Sequence, residues 1–329
     1  MSERFLVTGA LGCIGAWTVR ELAREGSEPV AFDLGTDARR LRAIMSPDEL
    51  ARVTFVRGDI SNLEALEAAI DEHGITNLIH LAALQVPFCR EDPPRGAHVN
   101  VVGTVNVFEA AKRRRDRMAP VVYTSSIAVY SAEDVDDTTG RLTIDAIPHP
   151  GNHYGVYKLA NEGNARIYWF DEGVPSIGLR PMTVYGVGRD QGMTSGPTKA
   201  IVAAVLGRRY TVPFRGATLY QYAADVALTL VAASRSGLDG AHVFNLAGSL
   251  ATDADLIRSL EAILPGSGEL IDFAREELPF PSKIDSDGLE KIGSVRITPF
   301  EDGVRASVEI LRGLERTGSL VAAEHGLGD

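Results

Sequence analysis

Phe5-Leu6-Val7-Thr8-Gly9-Ala10-Leu11-Gly12-Cys13-Ile14-Gly15 opens the chain with a β-rich apolar run and three glycines spaced three apart. The first four residues read as a buried strand, and residues 14–24 as the helix that follows. Glycine at 9, 12 and 15 permits a tight turn, lets backbone N–H groups approach a pyrophosphate, and leaves room for the helix to pack on the strand. The positive end of the helix dipole strengthens the attraction for phosphate. With a strand before it and a helix after it, the loop predicts a dinucleotide site.

Working outward, further strands are predicted over 29–33, 53–57, 77–81, 121–125 and 176–180. Between them fall a helix over 62–72 with Leu63, Leu66 and Ile70 on one face, a long helix over 95–117, and another within 152–171. Strands alternating with helices at this spacing predict an α/β fold with a doubly wound parallel sheet, the Rossmann arrangement. Beyond Arg180 the pattern turns irregular over 181–217. A helix over 223–233 and a strand over 241–246 follow, then helices over 253–263 and 300–314. The expected division is 1–180 plus about 218–248 for the dinucleotide, with 181–217 and 249–329 as a smaller C-terminal substrate lobe. The tail after Gly318 is expected to be loosely held.

Asp33 ends the second strand, where a carboxylate accepts hydrogen bonds from the adenosine ribose and repels a 2′-phosphate; the cofactor expected is NAD rather than NADP. Arg39, Arg40 and Arg42 are the nearby cations that a 2′-phosphate would need. Tyr154 and Lys158 lie four apart on one helix face. A phenol titrates near about 10, roughly three units too high for proton transfer near neutrality, and an adjacent ammonium favours its phenolate. Ser126, at the end of the fifth strand, is placed to hydrogen-bond the same substrate oxygen.

Net charge is −11 and the pI about 5.2, which disfavours binding to nucleic acid or an anionic membrane. The run Lys112-Arg113-Arg114-Arg115 ends a predicted helix, where cations suit the dipole. Cys13 and Cys89 form neither a disulfide framework nor a C-x-x-C pair, and Cys13 reads as a small filler of the glycine loop. The seven His do not fall into metal-ligand spacing, so no metal is expected. With no leader pattern and no apolar run near the roughly 20 residues of a membrane span, the expected location is cytoplasmic.

An ordered series carries a specific resemblance: the glycine loop, Gly58-Asp59-Ile60, His80-Leu81-Ala82-Ala83, Asn100-Val101-Val102-Gly103-Thr104, Thr124-Ser125-Ser126-Ile127-Ala128-Val129-Tyr130, and Tyr154-Gly155-Val156-Tyr157-Lys158. The chain resembles the extended short-chain dehydrogenase/reductases, the NAD-dependent epimerase/dehydratase group, over nearly its whole length. By that resemblance Ser126, Tyr154, Lys158 and Asn100 are catalytic. NAD would be held by Gly9, Leu11, Gly12, Cys13, Ile14, Gly15, Asp33, Asp59, Ile60, Leu81, Ala82, Ala83, Asn100, Tyr154 and Lys158. A homodimer through the helices near 95–117 and 152–171 is a further implication.

Departures from the family pattern bear on the substrate. Ile127 and Ala128 stand where sugar-nucleotide dehydratases carry an acidic pair, which argues against dehydration. Arg180-Pro181-Met182-Thr183 and Thr218-Leu219-Tyr220 replace the Asn and the Arg-Asp-Phe-like triplet that grip a sugar diphosphate. Arg189, Lys199, Arg208, Arg209 and Arg215 are the cations left to replace that grip. Gln85, Ser125, Ser126, Thr183, Arg189 and Gln191 lie in segments that follow strand ends and are expected to meet the substrate. The leading expectation is an NAD-dependent dehydrogenase acting on a secondary or anomeric alcohol of a small sugar-like molecule. The alternative is a nucleotide-sugar 4-epimerase with tightly bound NAD, and a non-catalytic dinucleotide sensor is a third.

Overall fold

A computed structural model describes residues 3–136 and 139–327. Its first half supplies strands β1 (Phe5–Thr8), β2 (Val30–Asp33), β3 (Thr54–Arg57), β4 (Asn77–His80), β5 (Val121–Thr124) and β6 (Ser176–Arg180). The second half adds β7 (Thr183–Tyr185), β8 (Tyr210–Val212), β9 (Thr218–Tyr222), β10 (Ala241–Asn245), β11 (Ser249–Ala251) and β12 (Ile271–Phe273). Seven strands form one sheet in the order β10-β6-β5-β4-β1-β2-β3, with every pairing parallel. All residues of β1, β4, β5 and β6 are buried, as expected of strands covered on both faces.

Alternation along the strands divides the core. Phe5 and Val7 pack with Trp17, Leu22, Val226 and Leu230 on one face; Leu6 packs with Leu66, Ile70, Val107 and Phe108 on the other. Helices therefore cover both faces, and the doubly wound sheet expected from the alternation is present. The second half also forms a three-stranded sheet β11-β9-β7 and the parallel pair β12-β8.

The chain winds outward from β1 to β3 and then returns to β4 on the other side of β1. That reversal opens a crevice between β1 and β4 at their carboxyl ends. Thr8 ties it together: its Oγ1 lies 2.7 Å from His80 Nδ1 and accepts from the backbone N–H groups of Leu81 and Ala82. His80 Nε2 meets Thr104 at 3.0 Å. Burial pushes this imidazole down to about 3, so it stays neutral.

Several expectations are corrected. The helix expected over 95–117 runs as Pro93–Ala97, a π-helical turn His98–Val102, and Gly103–Lys112. The wider turn coincides with Asn100, whose carbonyl accepts from Asn161 Nδ2 (2.9 Å) and Thr104 Oγ1 (2.7 Å). The irregular stretch after Arg180 contains β7, β8 and the helix Gly196–Val205, all too short or too evenly apolar for periodicity to reveal. The tail is docked: Ala322–His325 forms a 3-10 turn, and Leu327 is buried. The basic run is held by acids, with Arg113 and Arg114 on Glu67, Arg114 and Arg117 on Asp71, and Lys112 on Glu172. Among the described residues no helix is long and apolar enough to cross a membrane.

Candidate active site

A cleft of about 830 Å³ lies at the carboxyl ends of the first six strands, within the usual size range for cofactor sites. Gly9 sits at φ +65°, and a Cβ there would fall 2.6 Å from the Ala82 nitrogen, so only glycine lets the loop lie against the exit of β4. The helix Cys13–Arg24 begins at Gly12 with no side chain capping it, which leaves its first N–H groups for a ligand.

Asp33 closes the far side of the loop. Its Oδ2 accepts from Leu11 N and its Oδ1 from Gly35 N, both at 2.9 Å, which fixes the carboxylate at the cleft wall with lone pairs still available to hydroxyl donors. Arg40 donates to Asp190 Oδ1 (2.6 Å), Asp190 Oδ2 (3.2 Å), Gly188 O (3.0 Å) and Leu11 O (2.8 Å). Arg39 is shared between Asp190 and Asp37, and Arg42 pairs with Asp37. The three cations are thus already paired with carboxylates, and the free face of Asp33 fits NAD. Asp59 accepts from the hydroxyl and the backbone N–H of Ser61, which hold its carboxyl below the usual range.

At the reacting end, Asn152 caps the helix His153–Glu172 by accepting from Gly155 N at 2.9 Å. A Cβ on Gly155 would fall 2.0 Å from Ala128 O, so glycine lets this first turn press onto the 126–129 turn. Tyr154 and Ser126 meet there. Ser126 Oγ accepts from Ala128 N (3.1 Å), which leaves its own proton to donate. Burial raises the Tyr154 phenol; the bond to Ser126 lowers it, and so does the charge of Arg189. Lys158 Nζ stands 5.6 Å from the centre of the Tyr154 ring and donates to Thr124 O at 2.7 Å. Burial pushes Lys158 down to about 8. Arg189 is thus a second cation acting on the phenol besides the nearby Lys158, a role the sequence did not single out.

A buried ion pair underlies this turn. Glu162 accepts from Arg180 Nε (2.8 Å), Arg180 Nη2 (2.7 Å) and Ser125 Oγ (2.5 Å), while Arg180 Nη1 donates to Tyr130 OH (2.5 Å).

The cleft brings together Gly9, Leu11, Gly12, Cys13, Ile14, Gly15, Asp33, Asp59, Ile60, Leu81, Ala82, Ala83, Ser126, Tyr154 and Lys158, and Gln85, Arg189 and Gln191 line it too. Two expected residues, Asn100 and Thr183, do not line it. The Asn100 side chain accepts from Leu84 N (2.7 Å) and donates to Leu84 O (2.9 Å), so it holds the wall from behind. Thr183 faces away and meets Thr218 at 2.9 Å, while its neighbours Met182 and Val184 line the cleft. Ser125 lines it, but its hydroxyl is directed to Glu162. Of the five alternative cations only Arg189 lines the cleft, and Thr218, Leu219 and Tyr220 are buried in β9. Sequence reasoning missed Thr194 and Phe280; the first sits in a glycine-interrupted loop, and the second arrives from a remote segment that carried no signal.

A glycine-loop dinucleotide fold with a Ser-Tyr-Lys cluster at one cleft end defines the class. The profile of the NAD dependent epimerase/dehydratase family matches residues 5–247, and the chain belongs to that family. UDP-glucuronate 4-epimerase 2 of Arabidopsis thaliana is 32% identical over 187 residues, 55% of this chain and 42% of the relative. UDP-glucose 4-epimerase of Mycolicibacterium smegmatis is 32% identical over 213 residues, 64% of this chain and 66% of the relative. The matches thus span less than two thirds of the relatives' own lengths. A GalE-like L-threonine dehydrogenase from Cupriavidus necator superposes with a TM-score of 0.80 at 20% identity, covering 94% of this chain and 99% of that one, a likeness of fold.

Proposed function

We propose that the protein is an NAD-dependent oxidoreductase of the extended short-chain dehydrogenase type, acting on a secondary or anomeric alcohol of a small sugar-like substrate. The observation that carries this is Tyr154 beside Ser126 at the same cleft that holds the glycine loop and Asp33. The loop from Gly9 to Gly15 would hold the pyrophosphate, Asp33 the adenosine ribose, Asp59 and Ile60 the adenine, and Lys158 the nicotinamide ribose. NAD bound there supplies a hydride acceptor. Tyr154 takes the hydroxyl proton as the alcohol is oxidised, and Ser126 donates to the same oxygen and fixes its position. Lys158, anchored by Thr124 O, holds its ammonium beneath the phenol ring. Asn100 acts at one remove, by fixing the Leu84 backbone.

The 4-epimerase reading is the alternative, favoured by the names of the curated relatives. Ile127 and Ala128, buried in the 3-10 turn beside Ser126, carry no proton and argue against dehydration. Absorbance at 340 nm during incubation with NAD and a panel of sugars, sugar acids and nucleotide sugars separates the two. Net NADH supports the dehydrogenase; isomer interconversion without net NADH, with NAD retained through purification, supports the epimerase. Absence of both refutes the proposal. A cytoplasmic homodimer completes the reading, its contact formed around the exposed Val156, Ile167 and Phe170 of the His153–Glu172 helix.

A further inference from the structure

We propose that the substrate end of the cleft recognises one planar monoanion, the carboxylate of a small hydroxy acid, through Arg189, Gln85 and Thr194; this rests on the redox reading above and narrows its substrate. Among the described residues Arg189 makes no ion pair. Its Nη2 donates to Thr194 Oγ1 at 3.2 Å, while its Nε is buried without a partner. Gln85 Oε1 is likewise buried and unpartnered. The two heads flank one backbone turn: a Cβ built on Gly192 would lie 2.1 Å from Gln85 Oε1 and 3.1 Å from Arg189 Nη2. Leaving the Arg189 Nε and the Gln85 Oε1 without partners is costly, and ligand groups are a usual reason such atoms persist. Arg189 lines the same cleft as Cys13 and Tyr154, and its charge lowers both groups.

Charge limits the ligand to one anion. Arg39 and Arg40 are bound to Asp190, Arg95 and His98 lie by Asp59, and Lys158 donates to Thr124 O. Lys158 keeps its charge but is assigned to the nicotinamide ribose, which leaves Arg189, among the described cleft-lining residues, as the cation for the substrate. A diphosphate is strongly hydrated and needs several charge-assisted bonds, whereas a planar carboxylate matches one guanidinium fork, with the Gln85 NH2 and the Thr194 hydroxyl as further donors, while Gln85 Oε1 is left to accept from a substrate hydroxyl. The nearness of Tyr154 sets the alcohol within a few bonds of that carboxylate, so the substrate is a hydroxy acid such as an aldonate or uronate.

The test is calorimetric titration of the NADH-loaded protein with C3 to C6 aldonates, D-glucuronate, D-glucose and UDP-glucose. At least one acid should bind about tenfold or more tightly than glucose and than UDP-glucose. Arg189→Gln should weaken that acid by about 30-fold or more while leaving NADH and glucose affinities unchanged, with Arg189→Lys intermediate. The proposal is overturned if no acid binds, if UDP-glucose binds best, if Arg189→Gln leaves acid binding intact, or if it weakens NADH itself. Failure of the redox reading shows separately, as neither NADH formation nor isomer interconversion with any of these compounds in the presence of NAD.

Discussion

Replacing Glu162 by Gln keeps the shape of the side chain but removes a charge from the frame beneath the reacting turn. Both partners are nearly enclosed, with side chains 8% exposed. Glu162 takes two bonds from Arg180 and one from Ser125; Gln can accept at its oxygen, but its NH2 confronts an Arg180 donor. Arg180 then keeps a buried charge with only Tyr130 and Asn245 as neutral partners. Breaking a buried pair from one side costs about 3–5 kcal/mol, because the surviving charge is left uncompensated. At about 2 °C per kcal/mol for a chain of this size, the melting temperature should fall by roughly 6–10 °C, and the urea midpoint should fall with it. Pairing Glu162→Leu with Arg180→Met should recover most of that loss. The single variant should also lose turnover, since Ser125 adjoins Ser126. A stability change below about 1 kcal/mol for Glu162→Gln, or a double variant worse than the single, would refute the reasoning.

Lys158 is predicted to burden the unliganded fold. Its folded pKa of about 8 lies below its ordinary 10.5, so the unfolded chain binds more protons between those values; stability rises with pH across that window, and the burden is full below it. Lys158→Met should therefore abolish activity yet stabilise the ligand-free protein by about 2–3 kcal/mol at pH 7, measured by urea unfolding. Burial raises the Tyr154 phenol and Arg189 lowers it, so kcat/KM for oxidation should climb with pH into the alkaline range, and Arg189→Gln should move that climb to higher pH. Asp33→Ala should weaken NAD by about 10- to 100-fold, by loss of charge-assisted bonds to the ribose. It should give little gain for NADP, because Arg39 and Arg40 stay on Asp190; fluorescence titration with NADH and NADPH reads both.

What the sequence displayed best was local. The glycine loop, Asp33 after β2, and the Tyr154–Lys158 spacing each follow from strand-to-helix geometry over a few residues, and the structure brings them to one cleft. Thr183 was misplaced because a three-residue strand gives periodicity no phase, and its side chain takes the alternate face. Asn100 was assigned to the chemistry on resemblance, since a π-helical turn and a bond to Leu84 have no signature in composition. The clasp of Arg40 on Asp190 joins positions 150 apart and could not be read from either segment alone. Arg189 and Tyr154 likewise come from different segments, and their meeting at one cleft could not be read from either.

The central claim is that the phenol of Tyr154 carries the proton during hydride transfer. Tyr154→Phe removes one oxygen and leaves the glycine loop, Asp33 and Lys158 in place. Its NADH formation in a single turnover should fall by about 10²- to 10⁴-fold while NADH affinity, read by fluorescence, stays within about twofold of the parent. A variant that reduces NAD within about tenfold of the parent rate would contradict the account.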